Sequence, residues 1–128
     1  MRIAFQTAAI LLTLLSPFTA VAAETFTGKV VGITDGDTIT VLRDGKPEKI
    51  RLVGIDCPES GQSFGSKAKQ FTADRCSGKI VTVEWSKRDP YGRILGMVVV
   101  GSANVNHELV KAGQEQRACR PGGFGPQG

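Results

Sequence analysis

Apolar and polar residues alternate along four stretches of this chain, and a fifth stretch is almost continuously apolar; both patterns are typical of β-strands. They predict strands at residues 25–34, 38–43, 48–55, 79–86 and 94–100. The turn-forming sequences Asp35-Gly36-Asp37 and Asp44-Gly45 separate the first three. Because Asp-Gly between alternating segments favours a tight hairpin, we expect these three strands to form a meander.

One segment between the third and fourth strands has helical periodicity instead. In residues 62–76, Phe64, Ala68 and Phe71 recur at positions i, i+4 and i+7, while charged residues occupy the positions between them. This spacing predicts a helix that ends at Gly78.

A second, shorter helix is expected after the fifth strand, at residues 104–111, with Asn104 as its cap and Gly113 as its stop. Residues 88–93 form a loop between the fourth and fifth strands. Five strands with two helices in these places favour a small closed Greek-key barrel of the OB type, in the all-β or α+β class.

The two ends of the chain differ in character from the middle. Residues 1–23 combine Arg2, an apolar run from 3 to 15 and small residues near Ala22, which predicts a signal peptide. The run is shorter than the roughly 20 residues needed to span a bilayer. We therefore expect a periplasmic or secreted monomer without stable membrane association. Residues 24–113 would form the domain, and the Gly- and Pro-rich residues 114–128 a disordered tail.

Charge and cysteine content add weaker constraints. Without the leader the chain carries 15 Lys and Arg against 12 Asp and Glu, a mild excess that permits a polyanionic partner without establishing one. In an oxidising compartment Cys57, Cys76 and Cys119 can form one intramolecular disulfide and leave one thiol, but the pairing stays open. A single histidine, His107, and the lack of a Cys-x-x-Cys motif disfavour zinc.

The segment Asp56-Cys57-Pro58-Glu59 is the strongest candidate for chemistry. Its proline restricts the backbone between two carboxylates, so that both could face one point. Asp37, Asp56 and the backbone carbonyl of Cys57 offer oxygen ligands of the kind that calcium prefers, whereas the thiol is too soft. The alternative for Asp37 is a capped turn with solvated aspartates.

Two arginines would complete a site for phosphate chemistry. Arg51 lies on the third predicted strand and Arg93 follows Tyr91 in the loop before the fifth. A phosphodiester transition state gathers negative charge that two guanidinium groups and a cation would neutralise while Glu59 aligns a water. For Arg93 taken alone, a structural role closing the loop is the simpler interpretation.

These residues lie in four blocks that occur in the order of the staphylococcal nuclease (thermonuclease) family, which the chain resembles over residues 26–113. The blocks are Asp35-Gly36-Asp37-Thr38, Arg51-Leu52-Val53-Gly54-Ile55-Asp56-Cys57-Pro58-Glu59, Asp89-Pro90-Tyr91-Gly92-Arg93 and Val105-Asn106-His107-Glu108-Leu109-Val110. The resemblance implies a calcium-dependent phosphodiesterase on an OB barrel that cuts DNA and RNA, leaving 3′-phosphate and 5′-hydroxyl ends.

The resemblance also implies roles for individual residues. Glu59 would orient or deprotonate the attacking water, and Arg51 and Arg93 would bind the phosphoryl oxygens. Tyr91 would lie near the bound phosphate or sugar. The calcium site would be formed by the carboxylates of Asp37 and Asp56 and by the backbone carbonyl of Cys57.

Three departures from the family pattern keep an alternative open. The family usually has threonine at Cys57 and often a basic residue at Pro90. After Gly113 it normally continues into an aromatic-rich segment and a final helix, which are expected to be missing here. The alternative is therefore a catalytically weak or inactive OB-type module that binds nucleic acid. A secreted structural domain that merely binds calcium is a third possibility.

Overall fold

The computed structural model describes residues 23–116 and 119–122, together with Thr13 and Pro17. Apart from Thr13, Pro17 and Ala23, the predicted signal peptide lies outside the described residues. Two α-helices and eight strands follow one another within these residues. Their bounds are β1 (Glu24–Asp35), β2 (Thr38–Arg43), β3 (Lys46–Leu52), β4 (Ile55–Asp56), α1 (Gly65–Cys76), β5 (Ile80–Arg88), β6 (Ile94–Val100), β7 (Ala103–Asn104), α2 (Val105–Gln116) and β8 (Arg120–Pro121).

The five long strands close into a barrel, as predicted. Their order is β3-β2-β1-β5-β6, and a pairing between β3 and β6 joins the two ends. That closing pair is parallel, with Ile50 opposite Ile94, whereas the other pairs of the barrel are antiparallel. The short β7 continues the sheet beyond β6, and β4 forms a separate two-stranded sheet with β8.

The predicted hairpin between β2 and β3 is confirmed in its details. Asp44 and Gly45 both have positive φ, at 50° and 79°. Positive φ at both central residues defines the tight turn whose twist matches that of the flanking strands. The turn therefore sets the β2–β3 register that pairs Thr38 with Arg51 at the far end of the hairpin.

The core lies inside the barrel and under the two helices. Strand residues that alternate inward are almost completely buried: Val30, Ile39, Val41, Ile50, Leu52, Val81, Val83, Ile94 and Val98. Helix α1 adds Ala68 and helix α2 adds Val105 and Leu109. Each large aliphatic side chain contributes about 1.5 to 3 kcal/mol by leaving water. Burial of these alternating apolar side chains therefore stabilises the barrel.

The C-terminal part differs from the prediction. Helix α2 passes through Gly113 and continues to Gln116, and Arg120–Pro121 form a strand. A disordered tail is thus wrong for residues 114–116 and 119–122. Gly113 does not stop the helix; a Cβ there would collide with the Cys119 backbone, so glycine permits the returning chain to approach.

Helix α2 is attached to the barrel by a buried amide. Asn104 Oδ1 accepts a hydrogen bond from the His107 N–H, which confirms the predicted cap. Asn106 Oδ1 accepts from the Val98 N–H, and its Nδ2 donates to the carbonyls of Val53 and Gly96.

Within the described part of the chain, neither helix is long and apolar enough to cross a bilayer.

Candidate active site

Asp37 is held in the turn between β1 and β2 with its carboxylate almost completely buried. Its Oδ1 accepts a hydrogen bond from the Thr38 hydroxyl at 3.1 Å, and its Oδ2 accepts from the Cys57 N–H at 2.9 Å. The carbonyl of the neighbouring Gly36 accepts from the Thr72 hydroxyl on α1. A Cβ at Gly36 would crowd Ala68, so the turn depends on glycine to approach the helix. Asp37 is therefore fixed from two sides.

Arg51 faces Asp37 from β3 and is 17% exposed. One terminal nitrogen, Nη1, donates to the carbonyls of Leu52 and Ile55 at 2.7 and 3.0 Å. The other, Nη2, lies 3.3 Å from Asp37 Oδ2 and 3.7 Å from Asp56 Oδ1. The guanidinium group thus bridges two carboxylates from different parts of the chain.

Asp56 and Cys57 follow the bend after β3 and present the second carboxylate. The Asp56 side chain is 59% exposed, in contrast to Asp37. Cys57 forms a disulfide with Cys119, 62 residues later, which settles the open pairing. Cys76 is the free thiol; burial raises its pKa to about 11, so it stays protonated and unreactive at neutral pH.

Glu59 lies on an exposed loop that is anchored at both sides. Its N–H donates to Gln62 Oε1, and its carbonyl accepts from the Gln62 N–H at 2.9 Å. Ser60 next to it donates through its N–H to Asp35 Oδ1 at 2.8 Å. A Cβ at Gly65 would collide with the Glu59 carbonyl, so the start of α1 packs directly against this loop. The backbone is fixed near Asp37 while the carboxylate faces solvent.

Arg93 belongs to a different, local arrangement in the turn between β5 and β6. Its Nε donates to Asp89 Oδ2 at 2.6 Å, and the N–H groups of Arg93 and Tyr91 both donate to Asp89 Oδ1. Burial would raise the pKa of Asp89, but the hydrogen bonds from Arg93 outweigh it and hold that pKa below its usual 3.8. The Tyr91 side chain is 83% exposed, within cation–π distance of the Arg93 guanidinium.

A family model and the curated relatives of this chain point to the same protein family. The model of the staphylococcal nuclease homologue family matches residues 49–119. This chain belongs to that family. An endonuclease of uncharacterised role from Escherichia coli is 46% identical over 87 residues, covering 67% of this chain and 57% of the relative.

Two further relatives bear nuclease names. Micrococcal nuclease from Shigella flexneri is 51% identical over 73 residues, 57% of this chain and 42% of that protein. Thermonuclease from Staphylococcus hyicus is 38% identical over 95 residues, 68% and 56% of the two chains. The chain spans about half the length of the curated relatives it matches.

As a member of this family, the chain brings only part of its predicted site into direct contact. Arg51, Asp37 and Asp56 form one cluster. The β3–β6 register puts Leu95 beside Arg51. Arg93 lies two residues earlier in the chain, in the turn just before β6. Within residues 23–116 and 119–122, no hydrogen bond or ion pair joins Arg93 or the Glu59 carboxylate to the cluster.

The cluster fits a hard cation through its donor chemistry. A carboxylate offers about four lone-pair sites, and in Asp37 the contacts from Thr38, Cys57 and Arg51 occupy three. One site on Asp37 and the exposed Asp56 carboxylate remain, and the Cys57 carbonyl can add a third oxygen. The described residues contain no preformed group of three acidic, His or Cys ligands, so carbonyls and water would complete the shell.

Sequence reasoning missed the residues that support this site. Thr72 is buried on α1 and bonded to the Gly36 carbonyl, and Ser60 ties the Glu59 loop to the end of β1 through Asp35. The only signal was Thr72 itself, a polar residue on a helix that otherwise turns small apolar residues inward. The role of the Thr72 hydroxyl becomes visible only in the tertiary structure, where α1 packs against the turn between β1 and β2.

Proposed function

We propose that this protein is a calcium-dependent nuclease that hydrolyses phosphodiester bonds of DNA and RNA to 3′-phosphate and 5′-hydroxyl ends. One observation carries the proposal: the Arg51 guanidinium lies within 4 Å of the carboxylates of both Asp37 and Asp56. Asp56 is three residues before Glu59 in the sequence. Two acids, one fixed arginine and an exposed glutamate are the groups that phosphodiester hydrolysis requires. The nuclease names of the relatives support the same reaction class.

The exposed Glu59 carboxylate is the group available to position water. It would accept a proton from a water directed at phosphorus. The water oxygen would bond to phosphorus as the bond from phosphorus to O5′ breaks. The departing O5′ would take a proton from solvent, and Glu59 would return its proton to solvent. The phosphate therefore stays on the 3′ side, which matches the proposed products.

Arg51 and Arg93 would stabilise the negative charge on the phosphoryl oxygens. In the structure the two terminal nitrogens of Arg51 are engaged, which leaves its Nε–H as the uncommitted donor. Arg93 has its Nε on Asp89 and retains its terminal nitrogens for phosphate. When bound by Asp37, Asp56 and the Cys57 carbonyl, calcium would supply further positive charge beside the phosphate.

Cleavage of single-stranded DNA and of RNA by the purified chain tests this proposal. Reactions contain calcium, magnesium or chelator, and end groups are identified by labelling. We expect calcium-dependent cleavage to 3′-phosphate ends, and its loss in Glu59→Gln at unchanged folding. Salt-dependent binding of DNA without products would instead establish the nucleic-acid-binding module, and activity retained in Glu59→Gln would overturn the role of Glu59.

We further propose that the protein acts in the periplasm or outside the cell. The leader pattern of residues 1–23 and the disulfide between Cys57 and Cys119 support this location, because disulfides persist in oxidising compartments. N-terminal sequencing of protein recovered from the periplasm of a bacterial host should give Ala23 or Glu24 as the first residue. Recovery of the intact leader in the cytosol would contradict export.

A further inference from the structure

The two-stranded sheet of β4 and β8 places an additional arginine at the candidate site. In its register Ile55 lies opposite Pro121, and Asp56 lies opposite Arg120. Directly opposed residues of an antiparallel pair project to the same face, with Cβ atoms about 4.5 to 5.5 Å apart. The Arg120 side chain therefore starts beside the Asp56 carboxylate, which itself contacts Arg51.

Arg120 differs from the other two arginines in being uncommitted. Its side chain is exposed, and within residues 23–116 and 119–122 it makes no hydrogen bond or ion pair. Arg51 uses four contacts and Arg93 is bonded to Asp89. Arg120 thus offers its full set of five N–H donors to a ligand at this edge of the barrel.

The backbone that carries Arg120 is fixed on both sides. Cys119 before it is bonded to Cys57, the residue that follows Asp56. Gly122 after it donates its N–H to the Gly54 carbonyl at 2.9 Å. The backbone at Arg120 therefore stays next to Asp56, so binding through Arg120 has to order its side chain but not the strand that carries it.

We propose that Arg120 binds a backbone phosphate of the nucleic-acid substrate next to the scissile phosphate. The inference rests on the proposed nuclease function and extends it to a residue on the C-terminal strand. Phosphate is the ligand class because a guanidinium fork matches its oxygens in a bidentate geometry. With Arg51 and Arg93 assigned to the scissile group, Arg120 contributes to substrate positioning, and its effect is on KM.

Arg120→Ala and Arg120→Lys test the assignment, with Lys46→Ala as the matched control. Lys46 is an exposed cation at the hairpin end of β3, five residues and about 17 Å along the strand from Arg51. Steady-state cleavage of single-stranded DNA gives KM and kcat. Binding of labelled single-stranded DNA by the Glu59→Gln protein, measured over a salt series, gives the number of phosphate contacts without turnover.

We expect Arg120→Ala to raise KM about tenfold, with kcat changed less than about twofold and the salt slope of binding reduced by about 0.7. Arg120→Lys should recover part of the KM, because it restores the charge without the fork. Lys46→Ala should leave all three quantities unchanged. Circular dichroism checks that each variant is folded.

The outcomes separate this inference from the nuclease proposal. Calcium-dependent cleavage with wild-type KM and salt slope in Arg120→Ala would overturn the role of Arg120 alone. A wild-type chain that does not cleave but loses DNA affinity on Arg120→Ala would overturn the nuclease and keep the phosphate contact. An equal loss in Lys46→Ala would show that only total charge matters, which also overturns the inference.

Discussion

Arg51 and Arg93 are assigned to the same reaction but are held in different ways. Arg51 is 17% exposed and is held by two backbone carbonyls and two carboxylates, one of them, Asp37, nearly buried. Arg93 is 32% exposed and is bonded to Asp89, four residues earlier in the same turn. The first arrangement joins three elements of the fold, and the second closes a single turn.

Because the two arginines are held differently, we expect their removal to affect the stability of the fold to different extents, although both are assigned to catalysis. Because Arg51 neutralises a buried carboxylate, removing it leaves a charge that water cannot reach, and the fold is destabilised together with the site. Asp89 is 9% exposed, but it lies in a single surface turn and keeps the hydrogen bonds from the N–H groups of Tyr91 and Arg93 when the Arg93 side chain is removed. We therefore expect a smaller loss of stability there. Activity measurements on the two arginines therefore need stability measurements beside them.

Arg51→Ala should have the largest effect. We expect turnover to fall about 1,000-fold and the free energy of unfolding to fall by about 3 kcal/mol, since Asp37 is left buried without its cation. Denaturant unfolding and cleavage assays measure the two losses. Asp37→Asn combined with Arg51→Ala should cost less stability than the two single changes added together. Additive costs would show that the pair is not coupled in this way.

Arg93→Ala should lower turnover about 100-fold with a stability loss below about 1 kcal/mol. Arg88→Ala is the matched control, because Arg88 is in the same hairpin, donates to the Gly92 carbonyl of the same turn and pairs with Glu48, which is not a site residue. The control should retain turnover. A comparable loss in both variants would mean that hairpin structure, and not phosphate binding, is what Arg93 provides.

Cys119→Ala should act on the Arg51 cluster and spare the Arg93 turn. It opens a disulfide that spans 62 residues, which costs about 4 kcal/mol in the chain-entropy account. Cys57 then holds Asp37 less firmly, and we expect turnover to fall about tenfold. Cys76→Ala, at the buried free thiol, is the control and should leave turnover intact. Wild-type calcium dependence and turnover in Cys119→Ala would show that the disulfide does not position the site.

Asp89→Asn should have the smallest effect and a defined pH dependence. Because the pKa of Asp89 in the folded protein lies below 3.8, its stabilising contribution is complete above about pH 4 and is lost as pH falls through the folded pKa. The stability difference between wild type and Asp89→Asn, measured from about pH 7 to about pH 2.5, should therefore decrease as the pH falls. In an Arg93→Ala background the difference should be small throughout; a difference that persists there would assign it to another partner.

The local features of this protein were predictable from its sequence. Alternation of apolar residues, together with one continuous apolar run, predicted the five barrel strands, and the Asp44-Gly45 pair predicted the hairpin between the second and third strands. Asp37, Arg51 and Asp56 were predicted from the sequence as site residues, the two acids for a metal and the arginine for phosphate; their direct contact is a finding of the structure. The bounds of the first helix were also close, although it begins at Gly65 and not at residue 62.

The C-terminal prediction was wrong for an identifiable reason. Gly113 has the local character of a helix stop, yet α2 continues past it, because its missing side chain serves the close approach of Cys119. Likewise, the Gly- and Pro-rich composition favours disorder, but Arg120–Pro121 pairs with β4. A partner distant in sequence supplies the hydrogen bonds that local composition cannot reveal.

Sequence alone determined the five barrel strands and the Asp44-Gly45 turn, because these depend on periodicity and on short-range backbone preferences. Only the tertiary structure decided that Cys57 pairs with Cys119, that Arg51 bridges Asp37 and Asp56, and that Arg120 faces Asp56. Those contacts join residues from 5 to more than 60 positions apart. They exist because closure of the barrel brings strand ends together, and closure is a property of the whole chain.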